Sequence, residues 1–263
     1  MLGKLFKYDF KNLLRQMIPF YVVISVIAVF FAISHYLPAS GFKSLILDYL
    51  FQPIMTAVIC SVIFNAIIRA WIRYKQNLYG DESYLIHTLP VTKTDIFASK
   101  ILSSSLIIVL SIAVSLAALL LANASGDLIV RVIDAIDSIS ALTGTSSVVW
   151  GITAAMLILL EIITVMCAGF FGYTAGFRFE DKKLLKGFIF GGLAWGVSQV
   201  IVFGCMLSTG IFWPDTMVFF TNGVIDAKII PILMYAGGIG YFISVALQYY
   251  LTSKLLRSGV NVE

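Results

Sequence analysis

The stretch ILSSSLIIVLSIAVSLAALLLA, Ile101 to Ala122, contains no charged side chain. A helix that crosses the hydrocarbon core of a bilayer needs about 20 consecutive apolar residues, because no water is present there to satisfy an exposed backbone. This stretch has that length. In the whole chain of 263 residues, 60% are hydrophobic and only 12% are charged. The composition therefore predicts an integral membrane protein rather than a soluble domain.

Five other apolar runs of similar length occur along the chain. Together the runs predict an all-α integral membrane protein with six transmembrane helices in a single domain, residues 1–263, with spans near 17–38, 49–70, 100–122, 148–176, 187–212 and 229–253. A basic start before an apolar run is also typical of a secretory signal. The first run is longer than a signal requires, and five more follow, so we expect it to be retained.

The distribution of lysine and arginine predicts the orientation of these spans. Of the 18 such residues, all but Lys43, Arg131 and Lys228 lie at the two termini or in the connections after the second and fourth spans. Because cytoplasmic loops carry an excess of these residues, we expect both termini in the cytoplasm of a multi-pass plasma-membrane protein. The net charge of +4 then reflects topology and contact with anionic lipid, and we expect no nucleic-acid partner.

Two segments outside the spans show helical amphipathicity. Residues 1–16 carry cations at three- and four-residue intervals, which predicts an interfacial helix lying in the membrane plane. Residues 123–147 alternate apolar and charged positions at helical spacing and predict an amphipathic helix at the outer surface. That helix either contacts a substrate or caps the bundle. Glycines at four-residue spacing, such as Gly172 and Gly176, mark a close helix contact within the chain or between two copies.

The motifs of enzymes are missing from the sequence. His35 and His87 are the only histidines, and there is no H-E-x-x-H, no G-x-S-x-G and no nucleotide-binding G-x-x-x-x-G-K-[ST]. The three cysteines lack the paired spacing of a zinc site. We therefore predict a chain that is not an enzyme and holds no metal or cofactor itself.

Glu161 is an ionisable residue near the middle of the fourth span. A carboxylate at that depth costs at least a few kcal/mol unless it is protonated, paired or hydrated, so it is a functional hypothesis by default. It is either a proton site or a contact for a cationic substrate. The alternative is a neutral acid that is hydrogen-bonded to a neighbouring helix, for instance through a serine, Asn65 or Gln199.

The cytoplasmic loop 73–99 contains GDESYLIHTLPV, Gly80 to Val91. Here Gly80 and Asp81 can start a short helix that the Leu89-Pro90 step ends, since the residue before proline avoids the helical conformation. Thr92 and Asp95 have the spacing of a capping box at the start of the next helix. A short helix held between two rigid spans with exposed apolar residues indicates a protein partner, or else a helix resting on the lipid surface.

Two stretches resemble a known family. MLGKLFKYDFKNLLRQMIPFY at the N-terminus and YKQNLYGDESYLIHTLPVTKTDIFASKIL after the second span resemble the membrane subunits of ABC-2-type transporters, especially small bacterial permeases with a K-Y-E-F-like opening and a G-D-E-x-Y-L-x-x-T-L-P-V cytoplasmic stretch. Asp9 stands where glutamate is common in the family, and Ser83 where glycine is common. The resemblance covers the six-span layout, but its specific motifs lie in the first hundred residues or so.

The resemblance implies a permease subunit that exports its substrate by alternating access, driven by a separate ATPase subunit that holds ATP and Mg²⁺. Residues 1–16 would be the elbow helix, residues 210–228 the re-entrant outer element, and a second permease copy or a related chain would complete the assembly. The coupling helix that docks on the ATPase would comprise Gly80, Asp81, Glu82, Tyr84, Leu85, Thr88, Leu89 and Pro90. Its apolar residues would dominate the docking, since exposed ion pairs contribute little.

Two alternatives come from other classes. The first is a proton-coupled secondary transporter that uses Glu161, and the second is a membrane assembly factor without a transport role. Co-purification of an ATPase favours the permease, whereas transport that follows the proton gradient without such a partner favours the secondary transporter.

Overall fold

The computed structural model describes residues 2–36, 41–80, 83–88, 90–123, 127–222 and 227–258. Within these ranges the side chains of residues 35–36, 41–49, 52, 85–87, 127–129, 218–220 and 222 are not described. All regular structure in the described part is helical. The helices are α1 (Leu2–Tyr36), α2 (Gly41–Tyr79), α3 (Ser83–Thr88), α4 (Lys93–Ala122), α5 (Asp127–Thr143), α6 (Ser147–Gly176), α7 (Lys183–Phe212), α8 (Pro214–Asn222) and α9 (Ile230–Arg257), the last preceded by a 3-10 turn at Ala227–Ile229.

Six helices of the described chain are long and apolar enough to cross a membrane: α1, α2, α4, α6, α7 and α9. At most 33% of the most apolar window of each is buried within the protein. Large side chains such as Val200 and Phe242 lie exposed on their surfaces, which is favourable in lipid and unfavourable in water. The predicted all-α protein with six apolar helices of spanning length is confirmed. The orientation of the termini and the identity of the membrane stay predictions.

The first helix runs without a break from Leu2 to Tyr36 and contains Pro19. Proline lacks the amide hydrogen that the helix ladder uses and is a common cause of helix bends. Because residues 1–16 are continuous with the first span, a separate interfacial helix is not shown and stays a prediction. Their buried face carries Asp9 and Leu13 and continues to Met17.

The chain divides into two compact units, Met1–Arg73 with Ala98–Val132 and Tyr74–Phe97 with Ile133–Glu263. In the first unit, α4 buries a row of small polar residues, among them Ser103, Ser104 and Ser111. Small residues allow helix backbones to approach closely, and a serine hydroxyl can bond across the contact. Accordingly, the Tyr21 hydroxyl on α1 lies 2.8 Å from the Ser111 hydroxyl on α4.

The second unit is built around α6, α7 and α9, and glycine determines how closely the first two approach. A Cβ added to Gly172 would lie 2.4 Å from the Gly187 carbonyl oxygen, and one added to Gly176 would lie 2.4 Å from the Gly187 nitrogen. Only residues without a side chain fit there. The glycine spacing seen in the sequence therefore serves packing within the chain at this position, whereas Gly192 and Gly196 have nothing within 4 Å of an added Cβ.

Helix α8 folds back against the end of α7. The Thr209 hydroxyl lies 3.3 Å from the Thr216 hydroxyl, and a Cβ on Gly210 would lie 2.8 Å from Cγ of Met217. Trp213 forms the turn, since its carbonyl accepts bonds from both the amide and the hydroxyl of Thr216. This hairpin falls within residues 210–228, where the resemblance implies a re-entrant element; its membrane position stays a prediction.

Candidate partner-binding segment and intramembrane carboxylate

Residues 80–92, which we call the connecting segment, join α2 to α4 and contain the short helix α3. The amide of Gly80 donates to the Gln76 carbonyl at 3.2 Å, so Gly80 completes the last turn of α2, and its carbonyl accepts a hydrogen bond from the Ser83 amide at 2.9 Å. Helix α3 is described from Ser83, and the predicted cap Asp81 lies outside the described residues. The helix ends at Thr88, before Pro90, as the sequence predicts.

The far end of the connecting segment is closed by Thr92, which caps α4 as the sequence predicts. The Asp95 amide donates to the Thr92 hydroxyl oxygen at 3.2 Å, and the Thr92 hydroxyl donates to the Asp95 carboxylate at 2.7 Å. The start of α4 is also tied to the end of α9, because Arg257 donates to the Thr94 hydroxyl at 3.1 and 3.2 Å. The exit from the segment is therefore fixed by local and long-range bonds.

Aromatic contacts fix the entry to the connecting segment. Tyr79, the last residue of α2, packs on Phe177 with ring centroids 4.6 Å apart. One turn earlier Tyr74 stacks on Phe170 at 4.5 Å, and its hydroxyl lies 2.6 Å from that of Thr174. Aromatic pairs of this geometry each contribute about 0.5–1.5 kcal/mol beyond the area they bury. The segment is thus anchored to α6 at its base.

The connecting segment exposes part of its helix. Tyr84 is 76% exposed, whereas its neighbour Ser83 is 3% exposed, so α3 buries one side and exposes another. Thr88 and Pro90 are exposed as well. Of the other residues predicted for docking, Gly80 follows the end of α2, Asp81, Glu82 and Leu89 are outside the described residues, and the side chain of Leu85 is not described.

Glu161 lies midway along α6 and faces α7. Its Oε1 accepts a hydrogen bond from Trp195 Nε1 at 3.2 Å, and Gln199 Nε2 lies 3.2 Å from both carboxylate oxygens. The Tyr241 hydroxyl of α9 interacts with the same carboxylate and with Gln199. We call these four residues the Glu161 cluster. Of the partners considered from the sequence, Gln199 is found, whereas Asn65 donates to the Ser61 carbonyl in its own helix.

A buried ion pair, which sequence reasoning missed, lies in the first unit. Lys100 of α4 donates to the Asp9 carboxylate of α1, and both side chains are almost fully buried. Ser99 donates to the other Asp9 oxygen at 3.1 Å. The sequence interpretation placed residues 1–16 against lipid and assigned Lys100 to topology alone. The signal that was available is Asp9, an acidic residue within an otherwise basic helix.

The described residues contain no group of three or more histidine, cysteine or acidic side chains that could hold a metal ion. Comparisons with protein-family models, with curated proteins and with solved structures found no match.

Proposed function

We propose that this chain is the permease subunit of an ABC-2-type transporter. A separate ATPase subunit docks on its connecting segment and drives its movement. The single observation that carries the proposal is the short helix α3, held between the ends of two long apolar helices and exposing Tyr84. The sequence resemblance, which is strongest in this same stretch, agrees with it.

The anchoring of the connecting segment suits it to transmit force. Its base packs on α6 through Tyr79 and its exit is bonded to α9 through Thr94. A partner that pushes on α3 would therefore move helices rather than deform a loop. Motion of this kind needs no catalytic group in the permease, because ATP hydrolysis takes place on the partner. Export by alternating access, with a second permease completing the pathway, belongs to the same proposal.

The test is co-purification from native membranes. The tagged chain should carry with it a nucleotide-binding subunit and a vanadate-sensitive ATPase activity. Tyr84→Asp should remove both while leaving membrane insertion intact, because Tyr84 is 76% exposed and its replacement leaves the fold untouched. The matched control is Leu142→Asp on α5, also an exposed apolar residue (68%), which should retain both.

The second candidate function is a proton-coupled secondary transporter, favoured by one observation: Glu161 lies within a long apolar helix with neutral donors around it. A chain that purifies alone, and whose transport follows the proton gradient, would replace the first proposal with this one.

A further inference from the structure

Glu161 is the only lysine, arginine, aspartate or glutamate within residues 147–176, 187–212 and 230–253, which form most of the three helices of its unit. It lies about 20 Å along α6 from either end of the helix, at 1.5 Å per residue. The cations at the helix ends are therefore too far along the axis to pair with it. The charge of this carboxylate has no counter-ion among the residues of these three stretches.

The contacts of the Glu161 side chain come from hydrogen-bond donors. An indole N–H and a carboxamide NH₂ can only donate, and between them they reach both oxygens of the carboxylate. Both oxygens are thus met by donors that carry no charge. A carboxylic side chain midway along a long apolar helix, with no lysine or arginine in these three stretches, is an arrangement that a cationic ligand would complete.

The surroundings of the carboxylate indicate which kind of cation fits. Trp195 is 44% exposed, so part of its indole is open beside the carboxylate, and Tyr241 is partly exposed. Ile158, one turn before Glu161, is 61% exposed on the outer surface of α6. A carboxyl group beside partly exposed aromatic rings suits organic ammonium or phosphonium groups, and the adjoining apolar surface suits a hydrocarbon body.

We propose that the Glu161 cluster is a membrane-embedded binding site for a lipophilic organic cation, with Glu161 as counter-ion and Trp195 as aromatic contact. As a binding site it stands independently; as the substrate site of a transporter it rests on the proposed function. The ligand reaches the cluster from the bilayer, since Trp195 and Ile158 lie at the exposed edge of the helices.

The experiment measures equilibrium binding to the purified full-length chain in phosphatidylcholine nanodiscs, with empty nanodiscs subtracted. The probe is radiolabelled tetraphenylphosphonium, and its counterpart is tetraphenylborate, an anion of the same shape. We expect saturable binding of the cation and none of the anion. Glu161→Gln should weaken cation binding by about thirtyfold or more, the effect of removing one partner of a buried charge pair. Glu180→Gln, the same change at an exposed loop position, should leave it unaltered.

A second variant covers the case in which Glu161→Gln fails to fold. Trp195→Leu changes a partly exposed residue and should weaken binding roughly 2- to 30-fold through loss of the aromatic face. The proposal is overturned if either folded variant binds tetraphenylphosphonium with unchanged affinity, or if the chain binds tetraphenylborate as well as it binds the cation. Because this assay uses the chain alone, its failure leaves the ATPase co-purification result untouched, and the two proposals are distinguished.

Discussion

Replacing Gly172 with alanine is expected to weaken the packing of α6 on α7. The new Cβ would lie 2.4 Å from the Gly187 carbonyl oxygen and 2.7 Å from the Gly191 Cα, whereas ordinary contact begins at 3.4 Å. The overlap is thus about 1.0 Å with the first atom and about 0.7 Å with the second, and backbone atoms cannot turn aside as a flexible side chain would. The two helices must separate along this stretch.

The magnitude follows from the cost of overpacking, about 1–3 kcal/mol. It is offset in part by the helix preference for alanine over glycine, at most about 1 kcal/mol. Gly192→Ala provides the matched control, because nothing lies within 4 Å of its added Cβ and only the favourable term acts. Gly187→Ala tests the geometry more finely. Gly187 lies in the same helix contact, but a Cβ added there would lie 3.4 Å from its nearest neighbour. This substitution should therefore leave the free energy of unfolding almost unchanged.

Cys167 supplies the assay, since it is 1% exposed and lies on α6 close to Gly172. In a background with Cys60→Ala and Cys205→Ala, a thiol-reactive fluorophore labels the remaining cysteine only as the protein unfolds on heating. Gly172→Ala should lower the midpoint temperature of unfolding by several degrees, while Gly187→Ala and Gly192→Ala should leave this temperature unchanged or slightly raised. Equal midpoints for Gly172→Ala and Gly192→Ala would refute the close backbone contact.

Two further predictions concern other parts of the chain. Lys100→Met leaves the buried Asp9 carboxylate without its cation and should lower the free energy of unfolding by about 3–5 kcal/mol, which the same thermal assay detects. Lys254→Met, at an exposed position, should change nothing. A small effect of Lys100→Met would contradict the buried ion pair. Thr92→Ala removes the N-cap of α4, which contributes about 1 kcal/mol to stability. Hydrogen exchange at the Asp95 amide should therefore accelerate about fivefold. Unchanged protection of this amide would contradict the cap.

The sequence predicted features that depend on neighbouring residues. The six apolar helices follow from run length, and the capping box of Thr92 and Asp95 from a spacing of three residues. The end of α3 before Pro90 follows from the backbone restriction that proline imposes. Each of these is decided within one or two turns of chain, so pattern alone suffices. The predicted start of α3 at Gly80 and Asp81 stays a prediction, because Asp81 and Glu82 lie outside the described residues.

Contacts between residues that are far apart in the sequence could not be predicted from local sequence patterns. Asp9 and Lys100 are 91 positions apart, and nothing local to either indicates the other. Gln199 was among the partners that the sequence suggests for Glu161, whereas Trp195 and Tyr241 were not considered. Glycine spacing identified a packing face without saying what would cover it, and Gly172 meets Gly187 of the same chain.

The most direct measurement replaces Tyr84 with the photocrosslinking amino acid p-benzoylphenylalanine in the native membrane and identifies what it captures on irradiation. Tyr250, 62% exposed on α9, serves as the control position. We expect the probe at Tyr84 to crosslink to a nucleotide-binding ATPase subunit and the probe at Tyr250 to give no such product. Crosslinks from Tyr84 to lipid alone, or the same products from both positions, would contradict the assignment of α3 as the docking element of a permease.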